Sequence, residues 1–281
     1  MPAAEQKALQ KSAMKIRRDL LISIYHAQSG HPGGSLSIAE LLAVLYDHMH
    51  VDPAHPTDPS RDRLVLSKGH AAPALYAALA QMGFFDTGEI TRLRSLGGIL
   101  QGHPDMHFTP GVDISTGSLG LGLSAAGGMA LAGKYTRAGY RVYCILGDGE
   151  LQEGIVWEAA AMAAHYKLDN LTAFIDVNGL QIDGATADVL FGGHEAARFA
   201  AFGWNVLKAN GHDVCSIQEA IARAESYPHR PTAVLLSTVK GKGVSFMENQ
   251  AGWHGQAPNG SQFQQALFEI EEALRALEEA E

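Results

Sequence analysis

Four apolar runs set the main constraint on this chain: residues 141–146 (RVYCIL), 171–177 (LTAFIDV), 204–208 (WNVLK) and 233–238 (AVLLST), with helical segments between them. Short, continuously apolar runs of this kind are strands buried on both faces. A briefer run, Val65 and Leu66, precedes them. Strands that alternate with helices pair through crossovers, so the pattern dictates a parallel sheet covered by helices. With 281 residues, 46% hydrophobic and 18% charged, the chain has the material for a large core and is not disordered or fibrous.

Helical spacing through Leu9, Ile16, Leu20 and Ile24 predicts a helix over residues 4–25, stopped by Gly30 and Pro32. Ser37 followed by Glu40 is a capping-box pattern ahead of a second helix that ends near His50. An Ala-rich stretch over residues 71–85 reads as a buried helix. At the other end Phe263, Leu267, Ile270, Leu274 and Leu277 form the apolar stripe of an amphipathic helix. With no repeat and no low-complexity linker, residues 1–281 are expected to form one α/β domain with helical extensions at both ends. The net charge of −9, much of it from an acidic C-terminal stretch, leaves no basic face for nucleic acid or a membrane surface. The apolar run LLISIY is too short for a signal peptide and no stretch is long enough to span a bilayer. Cys144 and Cys215 lack metal spacing and read as buried free thiols, so a reducing cytoplasm is the expected setting.

Parallel sheets bind ligands beyond the carboxyl ends of their strands. The residues there are polar and glycine-rich: Ser67-Lys68-Gly69-His70, Gly147-Asp148-Gly149, Asn178-Gly179-Leu180 and Lys240-Gly241-Lys242-Gly243. Right-handed crossovers bring Asp148 and Asn178 to the same sheet edge, where a carboxylate and an amide oxygen suit a hard cation such as Mg²⁺ bound with a diphosphate. The alternative is a tight turn in which Asp148 caps the next helix. Gly120-Leu121-Gly122-Leu123-Ser124-Ala125 matches part of a dinucleotide fingerprint, but no strand precedes it and no acidic residue completes it. Helix packing explains those glycines equally well. Of thirteen histidines, His31, His70, His103 and His254 adjoin Gly or Pro in loops, where an imidazole can face a pocket and titrate near neutrality.

Taken in order, Ser29-Gly30-His31-Pro32-Gly33-Gly34, Ser67-Lys68-Gly69-His70, Gly102-His103-Pro104, Thr116-Gly117-Ser118-Leu119-Gly120 and Gly147-Asp148-Gly149 with Asn178 about thirty residues on resemble the N-terminal half of transketolases. The resemblance covers nearly the whole chain. It implies the thiamine diphosphate-binding fold: a doubly wound parallel sheet of about six strands with helices on both faces, forming the diphosphate-binding domain. In such a domain Asp148, Asn178 and the Leu180 carbonyl would hold Mg²⁺, for which Ca²⁺ or Mn²⁺ could substitute. Gly149 would lie against the diphosphate and His70 would contact it. Gly117, Ser118, Leu119, Ile182 and His254 would border the rest of the cofactor. His31, His103 and His254, with His70, would be catalytic around the sugar. Glu153 matches an acidic residue at a homodimer contact, although a first-turn Glu is also favoured by the helix dipole.

The family's pyrimidine-binding and C-terminal domains are not expected in these residues, so a second protein chain would supply them. The implied activity is ketol transfer between sugar phosphates in a heterotetramer, with a pentose phosphate role as the default. Three positions depart from the family pattern: Leu121, Val177 and the pair Gly98-Ile99. Rival readings are a 1-deoxyxylulose-phosphate-synthase-like half, the α subunit of a 2-oxo-acid dehydrogenase, and a non-catalytic cofactor-binding subunit.

Overall fold

The computed structural model describes residues 1–190 and 192–279. It opens with helices α1 (Ala3–Ala27), α2 (Pro32–Leu36) and α3 (Ala39–His48), then strand β1 (Arg63–Leu66) and helix α4 (Ala72–Met82). After a long loop come α5 (Leu121–Thr136), β2 (Val142–Gly147), α6 (Gly154–His165) and β3 (Leu171–Val177). A small antiparallel ribbon follows, β4 (Leu180–Gln181) and β5 (Gly184–Ala185), with α7 (Thr186–Val189) and α8 (Glu195–Ala201). The chain ends with β6 (Asn205–Asn210), α9 (Val214–Glu225), β7 (Thr232–Ser237) and α10 (Gly260–Glu279).

The main sheet is parallel throughout, in the order β1-β2-β3-β7-β6. It has five strands among the described residues, close to the expected count of about six, and the separate β4–β5 pair stands apart from it. Alternate residues of each strand feed two cores. Tyr143, Ile145, Phe174 and Leu236 pack under α1, α3, α4, α9 and α10, while Val142, Cys144, Leu146 and Ile175 pack under α5, α6 and α8. Because both faces are covered, strand positions on either side are apolar, and this is why the runs showed no polar alternation. The order reverses between β3 and β7, and such a reversal opens a crevice beyond the strand ends. No helix of the described residues is long and apolar enough to cross a membrane.

The end helices form as their spacing predicts. Leu9, Ile16, Leu20 and Ile24 are buried on α1, and Phe263, Ala266 and Ile270 on α10, with Phe263 stacked on Tyr25 at 4.0 Å. Gly83, at φ 88°, ends α4 in the left-handed conformation that releases its N–H to the Ala80 and Leu79 carbonyls. Two expectations fail. The capping box at Ser37 and Glu40 does not form: the Ser37 hydroxyl donates instead to Asp176, at 2.7 Å, and Glu40 turns toward Arg17. Charged tertiary partners outweigh a local cap worth about 1 kcal/mol. Cys144 is buried, but Cys215 is only half-buried because it lies in the first turn of α9, at the edge of its apolar stripe.

Arg17 is fully buried on α1 and ties three segments together. It donates to Glu40 Oε2 at 2.6 Å, to the Leu36 carbonyl at 3.2 Å and to the Lys242 carbonyl at 2.9 Å. Burial alone would raise the Glu40 carboxyl; Arg17 and His212 outweigh it and bring the pKa to about 2. Glu40→Ala leaves the Arg17 charge buried without a counter-ion, and we expect a loss of about 3–5 kcal/mol in urea unfolding. The pKa of Glu40 lies below its value in the unfolded chain, so its contribution is full above about pH 4.5 and is lost as pH falls toward 2. The stability of the Glu40→Ala protein should therefore fall less steeply than that of the parent over that range.

Candidate active site

In the sheet register Gly147 pairs with Asp176, so Asp148 and Asn178 leave adjacent strands at one edge. Asp148 is buried and bridges two loops, accepting from Gly149 N at 2.8 Å and from Gly179 N at 2.6 Å. It therefore does more than cap the following turn. Asn178 donates through Nδ2 to Asp176 Oδ2 at 2.9 Å, while its Oδ1 accepts from Leu180 N at 3.1 Å. Burial, aided by the nearby Asp176, pushes the Asp148 carboxyl up to about 6. One carboxylate, one amide oxygen and the Leu180 carbonyl form an all-oxygen donor set, which fits a hard cation. Among the described residues no group of three His, Cys, Asp or Glu is arranged to hold a metal, so this mixed set is the candidate.

Three imidazoles form a triangle across from these oxygens. The ring centroids of His31, His70 and His254 lie 5.3, 5.4 and 5.1 Å apart. Each is carried by a different loop: His31 precedes α2, His70 follows β1, and His254 lies in the connection between β7 and α10. Burial, then Arg94, lowers His31 to about 4; burial, then Lys240, lowers His254 to about 4. His70 is held well below its usual value by burial and by Lys68. All three rings are neutral at physiological pH. The Nδ1 of His31 is buried without a hydrogen-bond partner, an unmet polar atom beside the cavity.

Between the oxygens and the imidazoles lies a cavity of about 350 Å³. It is lined by Gly117, Leu119, Gly149 and Ile182 as well as by Asp148, Asn178, Leu180, His31, His70 and His254, and Glu153 stands exposed on its lining. Two expected residues lie outside the lining. His103 packs against Gly117, where φ is 151° and a Cβ would sit 3.2 Å from the ring, so it adjoins a residue of the lining. Burial and Arg94 lower its pKa as well. Ser118 is exposed and forms no part of the wall. The Gly120–Ala125 segment opens α5, and its glycine at 122 serves packing: a Cβ there would lie 2.5 Å from the Ser67 side chain. Leu121, Val177, Gly98 and Ile99 do not line the cavity either.

Four residues to which the sequence reading gives no role complete the site. Asp176, fully buried, receives Lys68 Nζ at 2.6 Å, Ser37 Oγ at 2.7 Å, Asn178 Nδ2 and Thr238 Oγ1. Lys68 also donates to the Gly34 carbonyl at 2.7 Å. Glu150 accepts from Gly120 N at 2.7 Å, from Gly147 N at 2.9 Å and from the Ser67 hydroxyl. Lys240, 2% exposed, reaches the Leu180 carbonyl at 3.1 Å and His254 Nδ1 at 3.0 Å. The signal for Asp176 was available: an acid within an otherwise apolar strand must find a buried cation.

Comparison with known proteins agrees with this geometry. Residues 9–267 match the family model described as transketolase, thiamine diphosphate binding domain. One of the subunits of an apulose-4-phosphate transketolase from Phocaeicola vulgatus is 41% identical over 97% of this chain and 97% of its own length. The 6-deoxy-6-sulfo-D-fructose transketolase subunit SqwG from a Clostridium species is 44% identical over 95% of this chain and 98% of its own. Human transketolase is 44% identical over 94% of this chain, which spans 42% of that enzyme. A transketolase structure from Pichia stipitis superposes with a TM-score of 0.88 at 30% identity, over 97% of this chain and 46% of that one. The parallel sheet, the cavity at its strand reversal and these matches agree: the chain belongs to the transketolase family and carries that family's thiamine diphosphate-binding domain.

Proposed function

We propose that this chain is the diphosphate-binding half of a two-subunit transketolase, transferring a two-carbon ketol unit from a ketose to an aldose. The observation that carries this reading is the cavity itself, with oxygen donors on one wall and three neutral imidazoles on the other. Two relatives of matching length are named as subunits, which supports a separate partner chain; in this reading that chain bears the pyrimidine pocket and the assembly holds two copies of each. Their names give substrates ending in a phosphate or a sulfonate, and an anionic sugar is the corresponding class here. Glu153, exposed at the start of α6, is assigned to contact with a second copy of this chain. The two free thiols suit a reducing cytoplasm.

In this reading Asp148, Asn178 and the Leu180 carbonyl hold Mg²⁺, and Gly149 and His70 lie against the diphosphate. When bound, thiamine diphosphate supplies a nucleophilic carbon and an electron sink for the ketol fragment. The chain's own task is proton handling and exclusion of water. A neutral imidazole both donates and accepts, so His31, His103 and His254 serve sugar hydroxyl and carbonyl oxygens in either direction, each contribution being typically ~10² to 10⁴-fold. The buried oxygens anchor; they do not react.

Mixed with its partner chain, thiamine diphosphate and Mg²⁺, the protein should transfer ketol units between sugar phosphates and leave pyruvate intact; pyruvate decarboxylation without ketol transfer would overturn the reading. His254→Ala should lower turnover by about 10² or more while thiamine diphosphate affinity, read by calorimetry, is retained. The neutral rings also make a statement about stability. His31 has a folded pKa of about 4 against 6.5 in the unfolded chain, so between these values the unfolded chain binds more protons and stability falls as pH falls. His31→Asn should therefore lose less stability than the parent when urea midpoints are compared at pH 7 and pH 5.

A further inference from the structure

The segment that carries His103 has no helix or strand of its own, yet every carbonyl from residue 99 to residue 104 is met by a donor. Thr109 Oγ1 donates to the Ile99 carbonyl at 2.6 Å, the Arg94 backbone N–H to Leu100 at 2.8 Å, Arg94 Nη2 to Gly102 at 3.4 Å and the Thr116 N–H to Pro104 at 3.2 Å. All of these donors belong to the same long connection between α4 and α5. The two remaining carbonyls, Gln101 and His103, take the Tyr76 hydroxyl, at 3.0 and 2.8 Å. Tyr76 lies within α4, 1% exposed, with its ring in the larger core, so this donor comes from a packed helix. Burial raises the phenol above its ordinary pKa, and the hydroxyl keeps its proton. With one proton to give, it serves both carbonyls in a three-centre bond.

From this geometry we infer that Tyr76 is a positioning residue, whose hydroxyl holds the His103 loop on α4 and thereby fixes the imidazole against Gly117. A Cβ at Gly117 would lie 3.2 Å from both Cγ and Cδ2 of His103, so the ring rests on that backbone while its own carbonyl is tethered to the helix. Tyr76 does not line the cavity. Its effect on the reaction therefore runs through the loop. The same helix begins two residues after His70, so α4 carries one imidazole just ahead of its start and, about one turn in, the tether of another. The spacing of the two imidazoles is then set by one rigid element and not by the loop's own conformation. The bearing of Tyr76 on turnover rests on the proposed ketol transfer, whereas the placement of the loop does not. A displacement of about 1 Å at a reacting group can cost ~10²-fold in rate, which is the scale at stake here.

Placement and activity are tested apart. In the free chain a nuclear Overhauser effect should join His103 Hδ2 to an α proton of Gly117. Tyr76→Phe keeps the ring in the core and removes only the hydroxyl; it should weaken that effect and leave those among the rings of His31, His70 and His254 unchanged. An undiminished His103–Gly117 effect, or a loss that spreads equally to the other three rings, overturns the inference. In the assembled enzyme Tyr76→Phe should lower kcat/KM by about tenfold or more while thiamine diphosphate affinity stays within about twofold. In the His103→Ala background the same substitution should cost under about twofold, since a residue acting through another shows no independent cost. Equal losses in both backgrounds overturn the inference. Absence of ketol transfer in the parent enzyme, with the Overhauser effects behaving as stated, would refute the proposed function and leave the placement intact. If Tyr76→Phe does not fold, the parent chain decides: its Tyr76 hydroxyl proton should be protected from exchange and show an Overhauser effect to the His103 α proton, and a hydroxyl proton exchanging with water too fast to observe overturns the inference.

Discussion

The ion pair between Lys68 and Asp176 is the interaction on which the site depends. Both side chains are almost wholly withdrawn from water, and a buried charge of this kind is tolerated only when it is matched and hydrogen-bonded. Asp176 meets that condition by collecting donors from four loops, those carrying Ser37, Lys68, Asn178 and Thr238. The exits of β1, β3 and β7 are thus drawn to one point. The orientation of the Asn178 amide follows from it: because its NH₂ faces Asp176, its oxygen is turned the other way, toward Leu180 N. A second acid, Glu150, performs the same joining on the other side, linking Ser67, Gly120 and Gly147. Two buried carboxylates, both on the cavity lining, therefore tie together the loops that enclose it.

Much of this was legible in the chain because hydrophobic runs and glycine-rich exits are local signals. The strands RVYCIL, LTAFIDV and AVLLST each lie within a residue of β2, β3 and β7, and Asp148 and Asn178 stand where the crossover rule puts them. The terminal helices followed from a stripe of apolar residues at helical spacing. What was not legible depended on partners distant in sequence. Ser37 and Glu40 satisfy every local condition for a capping box, yet Asp176 lies 139 residues from the first and Arg17 lies 23 from the second. No window of sequence contains those pairs. The same applies to Lys240, whose neighbours Leu180 and His254 arrive from separate loops.

The histidines show both sides of this limit. Proximity to Gly or Pro marked His31, His70, His103 and His254, but it equally marks His212, whose Nε2 accepts from Val239 N at 2.8 Å and whose Nδ1 lies 3.2 Å from Glu40, a structural position behind the site. Order along the chain, compared with a family pattern, separated these cases where local chemistry did not. His103 and Ser118 mark the limit of that method as well. Both belong to the motif, and the cavity wall between them is Gly117, a residue with no side chain at all.

Gly122 has a consequence for how this sequence can change over time. The α5 backbone approaches Ser67 so closely that even a methyl group at 122 forces the helix away from the β1 exit. That displacement pulls Gly120 and Ser67 off the carboxylate they share and loosens the β2 exit with them. Because the Ser67 Cα itself would lie 2.6 Å from that methyl group, no smaller residue at 67 relieves the clash, and a substitution remote from any reacting atom would be purged as firmly as one in the cavity itself.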